Sequence, residues 1–237
     1  MSGAPPAIRV FLADDQQLVR AGFRMVLDSQ PDIRVVGEAG DGADAVRQLA
    51  GIAADVVLMD VRMPVMDGIA ASAALTARAG APRVLVLTTF DLDEYAFAAI
   101  RAGASGFLLK DAPPEDLLAA VRTVHAGDGV VAASTTRRLL SHLAALPAPG
   151  NEMQPDADHR LAALTEREHQ VMVRIGEGLT NTEIAAALFV SETTVKTHVG
   201  RVFAKLGLRD RVQAVILAYE TGLVRPTAVG PGDRPEG

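Results

Sequence analysis

The chain has 237 residues, a formal net charge of −6, 49% hydrophobic residues and no cysteine. That length accommodates one large domain or two of ordinary size. The absence of cysteine excludes a disulfide framework and a cysteine-based zinc site, and no apolar run reaches the roughly 18 residues of a membrane span.

The first residues, MSGAPPAIRV, lack a basic stretch followed by a long apolar one, so a cytoplasmic protein without a membrane partner is expected. The charge is uneven. Residues 160–226 carry nine Lys/Arg and seven acids, a balance of +2, which leaves −8 on the remainder. An acidic part joined to a mildly basic part points to different partners for each.

Taken in chain order, residues 1–7 are expected to be disordered. Apolar runs then recur at IRVFLA (8–13), IRVVGEA (33–39), DVVLM (55–59), RVLVLT (83–88) and GFLL (106–109). Helical patterns follow them at Gln17–Asp28, Ala43–Ala50, Gly68–Ala79, Leu92–Ala102 and Pro113–His125. Strands that alternate with helices in this way predict an α/β domain with a parallel sheet over residues 8–125. The continuous apolar runs suit strands buried on both faces. Residues 126–160 read as a linker, with one helix near 134–146 and the Pro/Gly-rich stretch PAPGNEMQPDADHR after it. Residues 161–226 show no strand pattern. Capping boxes at Thr165/Glu168 and Thr180/Glu183, N-cap candidates at Ser191 and Asp210, and helix stops at Gly176/Gly178 and Gly207 predict four short helices. Residues 227–237 are expected to be a disordered tail.

The strand ends carry the chemistry. Strand 1 runs into Asp14 and Asp15, strand 3 into Asp60, strand 4 into Thr88 and Thr89, and strand 5 into Lys110. In a parallel sheet these ends share one edge, where ligands usually sit. Crowded carboxylates repel each other unless a cation intervenes. An oxygen-lined site of this kind suits Mg2+. A lysine and a hydroxyl beside it match a phosphoryl group, and a carboxylate can itself be the nucleophile. Asp67 and Gly68 read as a helix cap and a turn, and Met63-Pro64 as a stiffener of the loop.

The segments LADD (12–15), LMDVRMPVMDG (58–68), LTTF (87–90) and GASGFLLKDA (103–112) resemble the receiver domain of two-component response regulators over about 118 residues. The resemblance implies a flavodoxin-like, five-stranded parallel sheet in the order 2-1-3-4-5. It makes Asp60 the phosphoacceptor and places Mg2+ on Asp14, Asp15, Asp60 and the main-chain carbonyl of Arg62. Thr88 would hydrogen-bond the phosphoryl oxygen, Lys110 would pair with it, and Phe107 would be the aromatic switch residue.

In SETTVKTHVGRVFAKLG, Val195, Val199, Val202 and Leu206 recur at helical spacing and are expected to face a core. The opposite face presents Thr193, Lys196, Thr197, Gly200 and Ala204, with Arg201 on its flank. Slim side chains with a few donors suit a helix that enters the major groove. Thr180, Asn181, Thr194 and Arg201 are the expected phosphate contacts, Lys196 is the expected base reader, and His198 is read as structural. Segments LTEREHQV, GLTNTEIA, SETTVKTHVGRV and AKLGLRDR resemble the four-helix helix-turn-helix DNA-binding domain of LuxR/NarL-type regulators. Val212, Val215, Ile216 and Tyr219 on the last helix read as core or as dimer surface, and the resemblance implies a homodimer.

The two resemblances together imply a transcriptional response regulator. A sensor histidine kinase would phosphorylate Asp60, and the phosphorylated protein would bind promoter DNA. It would not be an enzyme beyond its own phosphorylation and dephosphorylation. Two alternatives are a phosphorylation-independent DNA binder with a vestigial receiver and a Mg2+-dependent phosphatase. The second lacks the Asp-x-Asp loop such chemistry usually wants, because Arg62 stands where the second acid would be.

Overall fold

The computed structural model describes residues 7–78, 80–88, 98–127 and 161–224, and the chain divides into two compact units. The first unit is built on five parallel strands in the order β2-β1-β3-β4-β5: β1 (Ile8–Ala13), β2 (Ile33–Ala39), β3 (Val56–Asp60), β4 (Arg83–Thr88) and β5 (Gly106–Leu109). This is the expected order. Every residue of β3 is buried, as its unbroken apolar run requires of a central strand. Its neighbours align in simple register, with Leu12 beside Leu58 and Leu58 beside Leu85.

Helices α1 (Gln17–Asp28), α2 (Gly42–Gln48) and α3 (Gly68–Thr76) connect the first four strands in turn, and α4 (Pro114–Ala126) follows β5. Leu27 of α1 and Leu117, Val121 and Val124 of α4 bury against Val10, Leu12, Val56, Leu58, Leu85 and Leu87. Asp41 caps α2, accepting from the Asp44 N–H at 2.8 Å, so the helix starts one residue earlier than the sequence pattern suggests. Pro114 opens α4 and Gly127, at φ 89°, closes it in the left-handed conformation. Of the helix expected at 92–102, residues 98–101 are helical and 92–97 lie outside the described residues. Thr89, the helix expected near 134–146, most of the linker and the tail also lie outside them.

The loop from β3 to α3 corrects one expectation. Asp67 is the helix cap, accepting from the Ala70 N–H at 2.8 Å. Gly68, however, makes no left-handed turn; it is the first residue of α3. A Cβ there would lie 1.8 Å from the main-chain oxygen of Asp60, so glycine is required for close approach of helix to strand. The residue with positive φ is Val65, at 66°, between Pro64 and Met66. The Met66 N–H reaches back to the Pro64 carbonyl at 2.7 Å, which makes a tight three-residue turn.

The second unit is helical, with α5 (Glu166–Gly176), α6 (Asn181–Leu188), α7 (Glu192–Leu206) and most of α8 (Arg211–Glu220). Both expected capping boxes form, with Thr165 and Thr180 each exchanging hydrogen bonds with the glutamate three residues on. Ser191 caps α7 by accepting from the Thr194 N–H at 3.1 Å, and Asp210 accepts from the Gln213 N–H at 3.1 Å. Val195, Val199, Val202 and Leu206 face the core with Met172, Ile175 and Ile184, as the spacing predicts. Val215 joins this core and Tyr219 packs against it.

Helix α5 stops where expected: Gly176 is its last residue, and a Cβ there would come within 2.7 Å of Ala218 and 2.6 Å of Val224. Gly178, at φ 83°, takes the left-handed position. The turn between α6 and α7 is made by Phe189, at φ 56° and 95% exposed, where a bulky side chain is unusual. Among the described residues no helix is long and apolar enough to cross a membrane.

Candidate functional site

The carboxyl edge of the sheet gathers the polar strand ends. Asp60 is itself the last ladder residue of β3, paired in register with Leu87, one position beyond the expected strand end. Thr88 ends β4, opposite Leu109 of β5. The Lys110 N–H then donates to the Thr88 carbonyl at 2.8 Å, which fixes where the lysine side chain starts. Asp14 follows β1 and donates its N–H to the Ala39 carbonyl at 3.1 Å.

From these positions the side chains converge. The Lys110 Nζ lies 2.6 Å from Asp14 Oδ2 and 2.8 Å from Asp60 Oδ2, and all three side chains are nearly excluded from solvent. Asp15 is exposed, yet one carboxylate oxygen from each of Asp14, Asp15 and Asp60 falls within 4.8 Å of the others. The Arg62 N–H approaches Asp60 Oδ1 at 3.4 Å. Thr88 is buried beside the group and Phe107 is buried in β5.

Burial pushes the Asp60 carboxyl above its ordinary pKa, and the charge of Asp14 adds to that; the bond to Lys110 opposes it. Burial alone would pull Lys110 down, but its bonds to Asp14 and Asp60 outweigh it and hold the ammonium charged. One lysine against three acids leaves a negative excess at one point. Hard oxygen donors at this separation fit a divalent cation such as Mg2+, whose opposite ligands stand about 4.2 Å apart, with only a small contraction. The arrangement suits an incoming phosphoryl group: a carboxylate nucleophile, a fixed cation beside it and a hydroxyl at the next strand end.

In the helical unit the exposed face of α7 presents Thr193, Lys196, Thr197, Gly200, Arg201 and Ala204. Nothing lies within 4 Å of where a Gly200 Cβ would stand, so packing does not demand glycine there. Several expected contact residues have local partners. The Thr180 side chain accepts from the Glu183 N–H at 3.2 Å. The Thr194 hydroxyl meets that of Ser191 at 2.8 Å, and the Thr197 hydroxyl donates to the Thr193 carbonyl at 3.0 Å. Asn181 is half-buried at the start of α6.

Sequence reasoning missed Glu192. Its carboxylate takes the Lys196 ammonium at 3.0 Å and the Thr182 hydroxyl at 3.2 Å, and these bonds lower its pKa in that order of importance. The signal was available: a glutamate four residues before a lysine on a helix. It also missed the pair between buried Glu168 and exposed Lys205 at 2.6 Å, whose partners are 37 positions apart.

Comparison with known proteins agrees with both units. A family model described as the response regulator receiver domain matches residues 10–122, and one described as bacterial regulatory proteins, luxR family, matches residues 162–218. The chain is 43% identical to the uncharacterized transcriptional regulatory protein YxjL of Bacillus subtilis (strain 168), over 92% of this chain and 98% of that protein. It is 38% identical to the DNA-binding transcriptional activator DevR/DosR of Mycobacterium tuberculosis (strain ATCC 25618 / H37Rv), over 94% of this chain and all of that one. Among solved structures it is similar to the response regulator ChrA of a heme-sensing two-component system: 40% identity, 93% of this chain and 100% of that chain, TM-score 0.50.

Proposed function

Since the chain belongs to the response regulators that join a receiver domain to a luxR-type DNA-binding domain, we propose that Asp60 is its phosphoacceptor, charged by a sensor histidine kinase. As a member of that family it is a DNA-binding transcriptional regulator of two-component systems. The finer reading is that phosphorylation of Asp60 controls homodimerisation and promoter binding in the cytoplasm.

The observation that carries it is the convergence of Asp14, Asp15, Asp60 and Lys110 at one sheet edge. In the proposed step a carboxylate oxygen of Asp60 forms a bond to phosphorus while the phosphorus–nitrogen bond of a kinase phosphohistidine breaks. The imidazole nitrogen takes its proton from solvent. The Lys110 ammonium lies 2.8 Å from the Asp60 carboxylate and pairs with the transferred phosphoryl oxygens. The Thr88 hydroxyl donates to one of them, and the change at Thr88 is passed to Phe107. Asp14, Asp15, Asp60 and the Arg62 carbonyl would hold Mg2+, which supplies neutralising charge when bound. Activity of this kind is confined to the chain's own acyl phosphate, so the protein acts as a switch and turns over no other substrate.

In the helical unit, Lys196, Thr193 and Thr197 would face the bases of double-stranded DNA, while Thr180, Asn181, Thr194 and Arg201 would contact phosphates. The test is labelling by acetyl phosphate in the presence of Mg2+. Asp60→Asn should abolish it, and undiminished labelling would sink the assignment. Footprinting with and without beryllofluoride should show promoter occupancy rising with the phosphoryl mimic.

A further inference from the structure

Three acids must be held at one point of the sheet edge against their mutual repulsion. Asp60 is fixed by its place in the ladder, but Asp14 and Asp15 lie just past the end of β1. Two local bonds shape that turn: Asp14 donates its N–H to Ala39, and its Oδ1 accepts the Gln16 N–H at 2.9 Å. The remaining main-chain group, the Asp14 carbonyl, is taken by a side chain. Arg20 of α1 donates to it from Nη1 at 2.5 Å.

The guanidinium is itself aimed. Its Nε donates to Glu38 Oε2 at 3.3 Å, and the other oxygen of Glu38 is bound by Arg24. The Glu38 main chain accepts from Gln48 Nε2 at 2.9 Å. A planar fork bonded at Nε to a carboxylate has its other nitrogens set in direction, which an ammonium cannot reproduce. Arg20 is 17% exposed in its side chain and Glu38 29%, so neither is a freely mobile surface group.

We infer that Arg20 is a positioning residue for the divalent-cation site: aimed by Glu38, it grips the Asp14 carbonyl and so sets the Asp14–Asp15 turn against Asp60. The inference rests on the proposed function of that site. Two plainer roles compete with it. Arg20 could merely brace α1 to β2, but Arg24 already joins α1 to Glu38, and what Arg20 adds is the bond to the Asp14 carbonyl. It could act through its charge alone, a role that the charge-keeping Arg20→Lys and the charge-removing Arg20→Met tell apart from positioning. Groups that orient metal ligands without touching the metal commonly matter 10- to 100-fold for affinity.

The three roles separate in one experiment on the full chain. Mg2+ affinity is measured by titration calorimetry, and thermal stability without Mg2+, for the wild type, Arg20→Met, Arg20→Lys and Glu38→Gln. Positioning requires Arg20→Met and Glu38→Gln each to weaken Mg2+ binding by about tenfold, with Arg20→Lys failing to restore it. Labelling by acetyl phosphate should return toward the wild-type rate at saturating Mg2+. A charge effect would tighten Mg2+ binding in Arg20→Met, and a brace would lower the melting temperature with Mg2+ affinity unchanged; either result overturns the inference. Asp15→Asn serves as the control on the site: Mg2+ binding that survives it overturns the three-acid site and, with it, both readings, an outcome visible without any change at Arg20.

Discussion

Each unit buries a carboxylate against a lysine, and the two carboxylates titrate in opposite directions. Asp60 is 5% exposed and Glu168 is 3% exposed, yet loss of hydration is the largest influence on Asp60, whereas at Glu168 the bonds it receives outweigh it. Glu168 bonds to Lys205, accepts the Thr165 N–H and carries no neighbouring acid among the causes of its shift; its pKa falls to about 2. Asp60 shares its lysine with Asp14, receives one long N–H from Arg62 and stays above the ordinary carboxylate range. A carboxylate with its lone pairs satisfied is a clamp. One left under-satisfied beside another acid holds free energy that an arriving phosphoryl group or cation can release. A carboxylate and a lysine thus build a brace in one unit and a strained, under-satisfied cluster in the other.

The sharpest way to break this comparison is at the contact that fixes the reactive centre. Gly68→Ala should destabilise the receiver unit by about 3 kcal/mol, because a methyl group cannot stand against the Asp60 carbonyl without moving helix or strand. Urea denaturation measures it, and a loss under about 1 kcal/mol would show the helix free to shift. A smaller effect is expected from the helical unit's local order. Thr180→Ala should cost about 1 kcal/mol by removing the cap of α6.

The finest test is the pH dependence itself. Glu168 has a folded pKa near 2 against an ordinary value of 4.5. Its contribution to stability is therefore fully present above pH 4.5 and lost as pH falls from there through about 2. Lys205→Met, which removes the largest cause of the shift, should flatten that loss. For Asp60 the sign reverses: its raised pKa means that its charge counts against the fold once pH exceeds the ordinary carboxylate value. Asp60→Asn should leave the protein no less stable at neutral pH, whereas Glu168→Gln should weaken it. Equal losses from the two variants, compared by denaturation without divalent cations, would erase the distinction.

What the sequence revealed follows the range of the forces involved. The five strands were legible because buried parallel strands need continuous apolar runs, and the core face of α7 because its valines recur at helical spacing. The acids and Lys110 were legible because strand ends in a parallel sheet share an edge. Gly68 was misread because turn chemistry and close approach demand the same residue, and only coordinates tell them apart. Arg20 was invisible as a site residue, since its target is a main-chain carbonyl six positions away and its aim comes from Glu38, 18 positions away. Phe189 broke the rule that left-handed turns call for glycine or asparagine, so no pattern marked it.

The Gly68 contact has a meaning for how this chain can vary. Its α-carbon faces the backbone of Asp60, and backbone is the one partner that no compensating substitution can shrink. A tight side-chain contact can be relieved by a second change elsewhere; this one cannot. Position 68 is therefore held to glycine by geometry alone, and its tolerance to substitution should be as narrow as that of Asp60, whose backbone it meets.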